Sequence, residues 1–172
     1  MTITPATSSD VPALAPLVNA AYRGQDDDSP KGWTSESHLI SGGRTNVADI
    51  TELLQAPHSI ILKCIADNGT LLGCVHLEKQ EEKLYLGMLS VWPSHQGEGV
   101  GKHLLSAATG HAAKSNCEKI HITVISARPE LIAWYERHGF QRTGEIQPFH
   151  HGEKFGIQKQ PLELVVLEKH IQ

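Results

Sequence analysis

Residues 84–103 constrain this chain more than any other stretch. Their first half has a strand pattern, with Leu84, Leu86 and Met88 at one spacing and Tyr85, Leu89 and Val91 at another. Pro93 ends it, because proline has no N–H for a ladder bond. Residues 96–101 form a glycine-rich turn, and Val100, Leu104, Leu105 and Ala108 follow at helical spacing. A strand, a glycine turn and a helix start make an anion site from backbone alone. The first N–H groups of a helix have no partner within it, and the helix dipole favours negative charge there.

Two common phosphate loops do not fit. A Walker loop needs G-x-x-x-x-G-K-[ST], but Gln96 stands at the first glycine and His103 at the Ser/Thr that would hold magnesium. A dinucleotide fingerprint started at Gly97 and Gly99 would put its third glycine on Lys102. The pattern [QR]-x-x-G-x-[GA] does fit, as Gln96, Gly99 and Gly101. A βα turn with glycines for tight packing is the alternative. A second signal lies at residues 130–140, where Tyr135, Arg137, Gly139 and Phe140 follow Y-x-[KR]-x-G-F, with Leu131 at the position of an alanine in the full A-x-x-x-Y-x-[KR]-x-G-F pattern. A core aromatic capped by a Gly-Phe turn would account for Tyr135 equally well in isolation.

At 172 residues, one domain spanning 1–172 with a full core is expected. The formal charge of -4 points away from nucleic acid and anionic membranes. No stretch approaches the ~20 apolar residues of a membrane helix. Residues 1–10 carry neither a basic start nor an apolar run, so no signal peptide is expected and a cytoplasmic location is. Cys64, Cys74 and Cys117 include no C-x-x-C pair and are expected to be reduced and mostly buried.

The remaining pattern predicts a first strand at 2–6 and a helix from the Ser8-Ser9-Asp10-Val11-Pro12 start to Gly24. Residues 25–34 are polar, with Asp26-Asp27-Asp28, and read as a solvated loop or as a mouth attracting a cationic amine. Ser35 is expected to cap a helix through Leu39 and Ile40 that breaks at Gly42-Gly43, and a short helix follows at 46–55. Strands at 59–66 and 71–79, joined by Asn68-Gly69, form an antiparallel meander with 84–91. A helix to about Lys114 and a fifth strand at 120–125 complete a parallel βαβ unit, with that strand buried on both sides or nearly so. A helix from Arg128, a strand at 140–146, a polar loop at 147–160 holding His150-His151, and a strand at 162–167 end the chain. The order β-α-α-β-β-β-α-β-α-β-β is mixed α/β.

The two motifs, in this order and with a strand between them, resemble the GNAT superfamily of N-acetyltransferases, over about residues 3–171. The resemblance implies a mixed α/β (α+β) fold. Its central sheet has six to seven mostly antiparallel strands, flanked by helices, with parallel strands four and five splayed around acetyl-CoA. It implies that Leu89, Ser90 and Val91 pair with the pantetheine arm and that an amide at Leu89 faces the thioester oxygen. It implies a pyrophosphate loop of Gln96, Gly97, Glu98, Gly99, Val100 and Gly101, with Tyr135 protonating the leaving thiolate. Arg128 stands where members usually carry a cofactor-contacting Asn, and an arginine there can meet a phosphate. Lys102 is expected to stay solvated beside the phosphates.

The chemistry asks for few residues. A thiol near ~8.5 leaves with a proton from a tyrosine near ~10, while an attacking ammonium near ~10.4 must first lose one. Members often place a carboxylate near the end of strand five or in the middle of strand four, positions that look like Thr123 and Gly87 here. Glu78, His76 and His121 are the base candidates on strand alternation, with water the alternative. The resemblance implies that the region from Tyr22 to Arg44 forms one wall of the acceptor site, with Trp33, Glu36 and Arg44 the candidates in it, and the Phe149 to Gln158 loop the other. The acceptor is a small-molecule or peptide amine, and a homodimer is compatible with the resemblance. No metal is expected, since His150-His151 has no third ligand at a recognisable spacing. Two other readings stay open: a CoA-binding regulatory module without turnover, suggested by Arg128 and the missing strand carboxylate, and transfer of an acyl chain longer than acetyl.

Overall fold

The computed structural model describes residues 1–24, 35–149 and 156–171. Trp33, the Asp26-Asp27-Asp28 run and His150-His151 lie outside the described residues. The strands are β1 (Thr2–Pro5), β2 (Ile40–Ser41), β3 (Ser59–Ile65), β4 (Leu71–Gln80), β5 (Lys83–Val91), β6 (Lys119–Ile125), β7 (Gln141–Pro148), β8 (Ile157–Gln158) and β9 (Glu163–His170). The helices are α1 (Val11–Arg23), α2 (Val47–Gln55), α3 (Val100–Lys114) and α4 (Pro129–Arg137).

Seven strands form one sheet in the order β1-β3-β4-β5-β6-β9-β7, and β2 pairs with β8 separately. Among the described residues, only the β5–β6 pairing of the large sheet is parallel, because α3 carries the chain back across it. Local chemistry sets the element ends. Asp10 accepts from the Thr7 amide at 2.8 Å just ahead of α1, and Pro12 sits in the first turn. Asn46 caps α2 through the Asp49 amide at 2.8 Å. Gly69 takes φ +89° in the β3–β4 turn.

Two apolar cores cover the two faces of the sheet. One gathers Leu84, Leu86, Leu104, Ile120, Ile122, Ile132 and Tyr135 beneath α3 and α4. The other gathers Leu14, Leu17, Val18, Ile50, Cys74 and Met88 beneath α1 and α2. A smaller cluster of Leu39, Ile40, Ile125, Phe149, Leu162 and Leu164 closes one end. Cys64, Cys74 and Cys117 are buried free thiols.

The structure corrects three sequence expectations. Strict alternation along residues 84–91 does not hold. The pairing runs from His76↔Gly87 to Cys74↔Ser90, so β5 carries one extra residue, and Met88 sits at φ +56°. This bulge turns Met88 to the α1 side, while Leu89 and Val91 pack on the same core as Leu84 and Leu86. The helix expected from Ser35 is one turn, with Leu39 N and Ile40 N both on Glu36 O at 2.9 Å. Ile40 then leaves it to pair with Gln158, and Gly42 at φ +91° turns the chain away. The fifth predicted strand, β6, is fully buried on one face only, since Lys119, His121 and Thr123 stay partly accessible.

Candidate active site

The strands β5 and β6 pair at only three positions, Lys83↔Lys119, Leu84↔Ile120 and Tyr85↔His121, and then separate. Past Tyr85, the main chain of β5 has no ladder partner on its β6 side among the described residues, and this stretch includes the bulge. A splayed pair of this kind leaves backbone donors and acceptors facing an opening instead of a neighbour.

At the end of β5, a 3-10 turn at Pro93–His95 leads into the glycine loop. Gly97 and Gly99 take φ +83° and +86°, and a Cβ on either would meet no atom within 4 Å. Backbone conformation, not crowding, therefore requires glycine at these two positions. Gly99 is the N-cap of the 15-residue α3. Among the described residues, no amide from Gly97 to Lys102 has a backbone acceptor; the first such bond is His103 N to Gly99 O at 3.0 Å. Gly101 is small for a different reason: its Cβ would lie 3.3 Å from Trp134.

Two cavities meet where β5 and β6 separate. The loop cavity, about 660 Å³, is lined by Leu89, Val91, Gln96, Gly97, Gly99–Lys102, Trp134, Arg137 and His138, among others. Lys102, Arg137 and His138 make its chemistry suitable for an anion despite the chain's net charge of -4. The second cavity, about 540 Å³, lies toward α2 and is lined by Arg44, Asp49, Glu52, His76, Glu78, Tyr85, Gly87 and Thr123, among others. Tyr22, Arg128, Leu131 and Tyr135 belong to the walls of both.

Tyr135 is held by edge contacts with Trp134 and Phe140, at 5.1 and 5.4 Å between ring centroids. Burial pushes its pKa above the ordinary phenol value; Tyr22 adds to the rise, and the charge of Arg128 opposes it. The phenol therefore keeps its proton through neutral and mildly alkaline pH.

A sequence model of the Acetyltransferase (GNAT) family matches residues 18–140. The chain belongs to the GNAT acetyltransferase family. N-acetyltransferase family 8 member 7 of Mus musculus is 28% identical over 119 residues, 66% of this chain and 52% of that protein. The chain thus spans about half the length of this curated relative. The ribosomal-protein-S18-alanine N-acetyltransferase of Escherichia coli superposes at TM-score 0.71 and 16% identity, covering 99% of this chain and 94% of the other. The yncA structure from Salmonella typhimurium, solved with its cofactor acetyl-CoA, does so at 0.70 and 20%, covering 100% and 94%. These two likenesses show the fold.

Set against the GNAT pattern, the sequence-predicted residues separate by position. Leu89, Val91, Gln96, Gly97, Gly99, Val100, Gly101, Arg128 and Tyr135 all line the loop cavity. The Ser90 side chain does not; it is buried and donates to Met88 O at 3.0 Å, so only its backbone is available there. Glu98 is exposed and paired with His95 at 2.8 Å, outside the cavity wall. Glu36 and Arg44 line the second cavity, Glu36 as part of a buried cluster with Arg23 and Arg128 and Arg44 stacked over Tyr22 at 5.1 Å. Of the base candidates, His76 and Glu78 line that cavity, whereas His121 faces elsewhere and meets Gln80 Oε1 at 3.0 Å. Lys102 is exposed at the rim of the loop cavity.

Sequence reasoning missed Asp49, Glu52, Tyr85 and Trp134 as wall residues, whereas Tyr22 opens the stretch expected to wall the acceptor site. Tyr22 and Trp134 read as members of apolar helix faces, and Tyr85 as a strand residue. The one available signal was Gly87: a Cβ there would lie 2.6 Å from the Tyr85 hydroxyl, so the glycine makes room for the phenol. Among the described residues, no cluster of three or more His, Cys, Asp or Glu is arranged to hold a metal. No described helix is long and apolar enough to cross a membrane.

Proposed function

We propose that residues 1–172 act as one catalytic unit that transfers an acetyl group from acetyl-CoA to a primary amine of a small molecule or peptide. The observation that carries this reading is the position of Tyr135 on the wall shared by the two cavities. Acetyl-CoA supplies the thioester and a thiol leaving group. The amides of Gly97–Lys102 take its diphosphate at the start of α3, where both glycines at positive φ keep the loop open. The unpaired main chain of β5 holds the pantetheine arm, with the Leu89 amide facing the carbonyl oxygen as it gains charge.

The amine enters from the α2 cavity and attacks the carbonyl carbon directly; the C–S bond breaks, and Tyr135 gives its phenolic proton to the departing sulfur. The raised pKa of Tyr135 keeps that proton in place until the sulfur needs it. No cysteine lines either cavity, which favours direct transfer over an acetyl-cysteine relay.

A thioester-consumption screen over amino acids, polyamines, aminoglycosides and peptide N-termini tests the proposal. CoA release that depends on an amine, with a matching N-acetyl product by mass, is the expected result. Calorimetric acetyl-CoA binding with no turnover against the whole panel would leave a CoA-binding module in its place.

A further inference from the structure

We propose that His76 is the general base that takes the proton from the incoming ammonium. This rests on the acetyl-transfer reading above and assigns the one proton that Tyr135 does not account for. His76 lies on β4 directly opposite Gly87, one residue from the bulge, and lines the α2 cavity. Its side chain is buried, with the residue 5% exposed. One ring nitrogen, Nε2, lies 2.8 Å from Ser59 Oγ on β3. In the tautomer with Nε2–H donating to Ser59, Nδ1 carries the lone pair.

The proton balance is simple. An N–H bond of the ammonium breaks, its electron pair stays on nitrogen for attack, and the proton passes to His76 Nδ1 directly or through one water. The imidazolium then strengthens its Nε2–H bond to Ser59, and Nδ1 returns the proton to water in the cavity, which restores the starting tautomer. The other two candidates are placed less well. Glu78 pairs with Tyr85, roughly 7 Å further from the bulge along the strand, and accepts from Gln80 at 3.0 Å. His121 is outside the cavity.

The titratable and charged groups that share this cavity with His76 are Glu78 on its own strand, Tyr85 on β5 with ring centroids 6.0 Å away, Asp49 and Glu52 on α2, Glu36 and Arg44 before α2, Tyr22 and Arg23 on α1, and Arg128 and Tyr135 at α4. Desolvation dominates among the influences on the ring and lowers its pKa; Glu78 opposes this and Arg44 adds to it. A neutral imidazole at pH 7 is the form a base requires.

The test is the pH profile of kcat/KM for an amine acceptor with wild type, H76Q, E78Q and H121N. H76Q is expected to lose about a hundredfold at pH 7, with the deficit shrinking as pH approaches the ~10.4 of an alkyl ammonium. H121N, outside the cavity, is expected to stay within about threefold of wild type, and E78Q to lose several-fold less than H76Q. Unchanged acetyl-CoA affinity by calorimetry shows that H76Q is folded. In the free wild type, a histidine-ring nitrogen correlation spectrum should show Nε2–H for His76 and a titration below its ordinary value. H76Q activity near wild type, a deficit independent of pH, an equal loss in E78Q, or an Nδ1–H tautomer would each overturn the assignment. Turnover that survives H76Q removes the base alone, whereas a wild type that acetylates no amine removes base and acetyl transfer together.

Discussion

Glu36 Oε2 lies 3.2 Å from Arg128 Nη1, with both side chains 5% exposed and 92 residues apart in sequence. The other carboxylate oxygen sits 2.8 Å from Arg23 Nη2 and accepts from Arg23 Nε at 2.9 Å. One carboxylate thus ties the end of α1 to the residue that opens α4, the helix of Tyr135. Arg128, which lines both cavities, holds Glu36 as a strut between them. Removing the carboxylate takes their shared anionic partner from two buried guanidinium groups. Glu36→Ala is expected to lower unfolding free energy by about 3–5 kcal/mol, measured by urea titration. The Arg128→Met variant of E36A should cost less than the sum of the two single changes, which a double-mutant cycle reads directly.

The two positive-φ glycines and the crowded one should respond differently to a methyl group. Gly97→Ala and Gly99→Ala are each expected to cost about 1–2 kcal/mol, because a left-handed conformation is strained for alanine. Both should also weaken CoA binding. Gly101→Ala has ordinary helical geometry, with its Cβ 3.3 Å from Trp134, so a small ring movement absorbs it. Gly101→Leu drives that ring into the loop cavity and should weaken CoA more than it lowers Tm. Calorimetry with CoA and thermal melts separate these outcomes.

Tyr135→Phe keeps the ring that packs against Trp134 and Phe140 and removes only the hydroxyl. It is expected to leave Tm within a few degrees of wild type and CoA affinity intact, while lowering kcat about a hundredfold. An unchanged rate with the true acceptor across pH would remove the acid role.

Stability should fall at both ends of the pH scale. Burial raises Cys74 from 9.0 to about 12 and Tyr22 from 10.0 to about 12, with the Arg44 charge opposing the rise at Tyr22. The unfolded chain releases these protons first, so their stabilising effect is complete below about pH 9 and is lost as pH climbs toward 12. His76, His111 and His121 are lowered, first by burial. The unfolded chain binds those protons first, so their contribution holds above about 6.5 and fades as pH falls below it. Tm measured across pH should show both limbs, and Cys74→Ala should make the alkaline limb shallower.

The sequence by itself determined the two motifs and the βαβ unit between them. Proline, glycine and alternating apolar residues act within a few positions of themselves, so the end of β5, the glycine loop and the helical face of α3 were all legible. It did not determine the parity of β5 beyond Gly87, because a bulge is one uncompensated residue against a partner strand and appears only once β4 is in register. Nor did it determine the fate of residues 35–41, where pairing of Ile40 with Gln158 overrode a local helix start. How the walls of the α2 cavity come together was decided by tertiary structure, although Glu36, Arg44, His76 and Glu78 were already candidates in the sequence. Tyr22, Asp49, His76 and Tyr85 come from four elements, and only the splay of β5 from β6 brings them to one space.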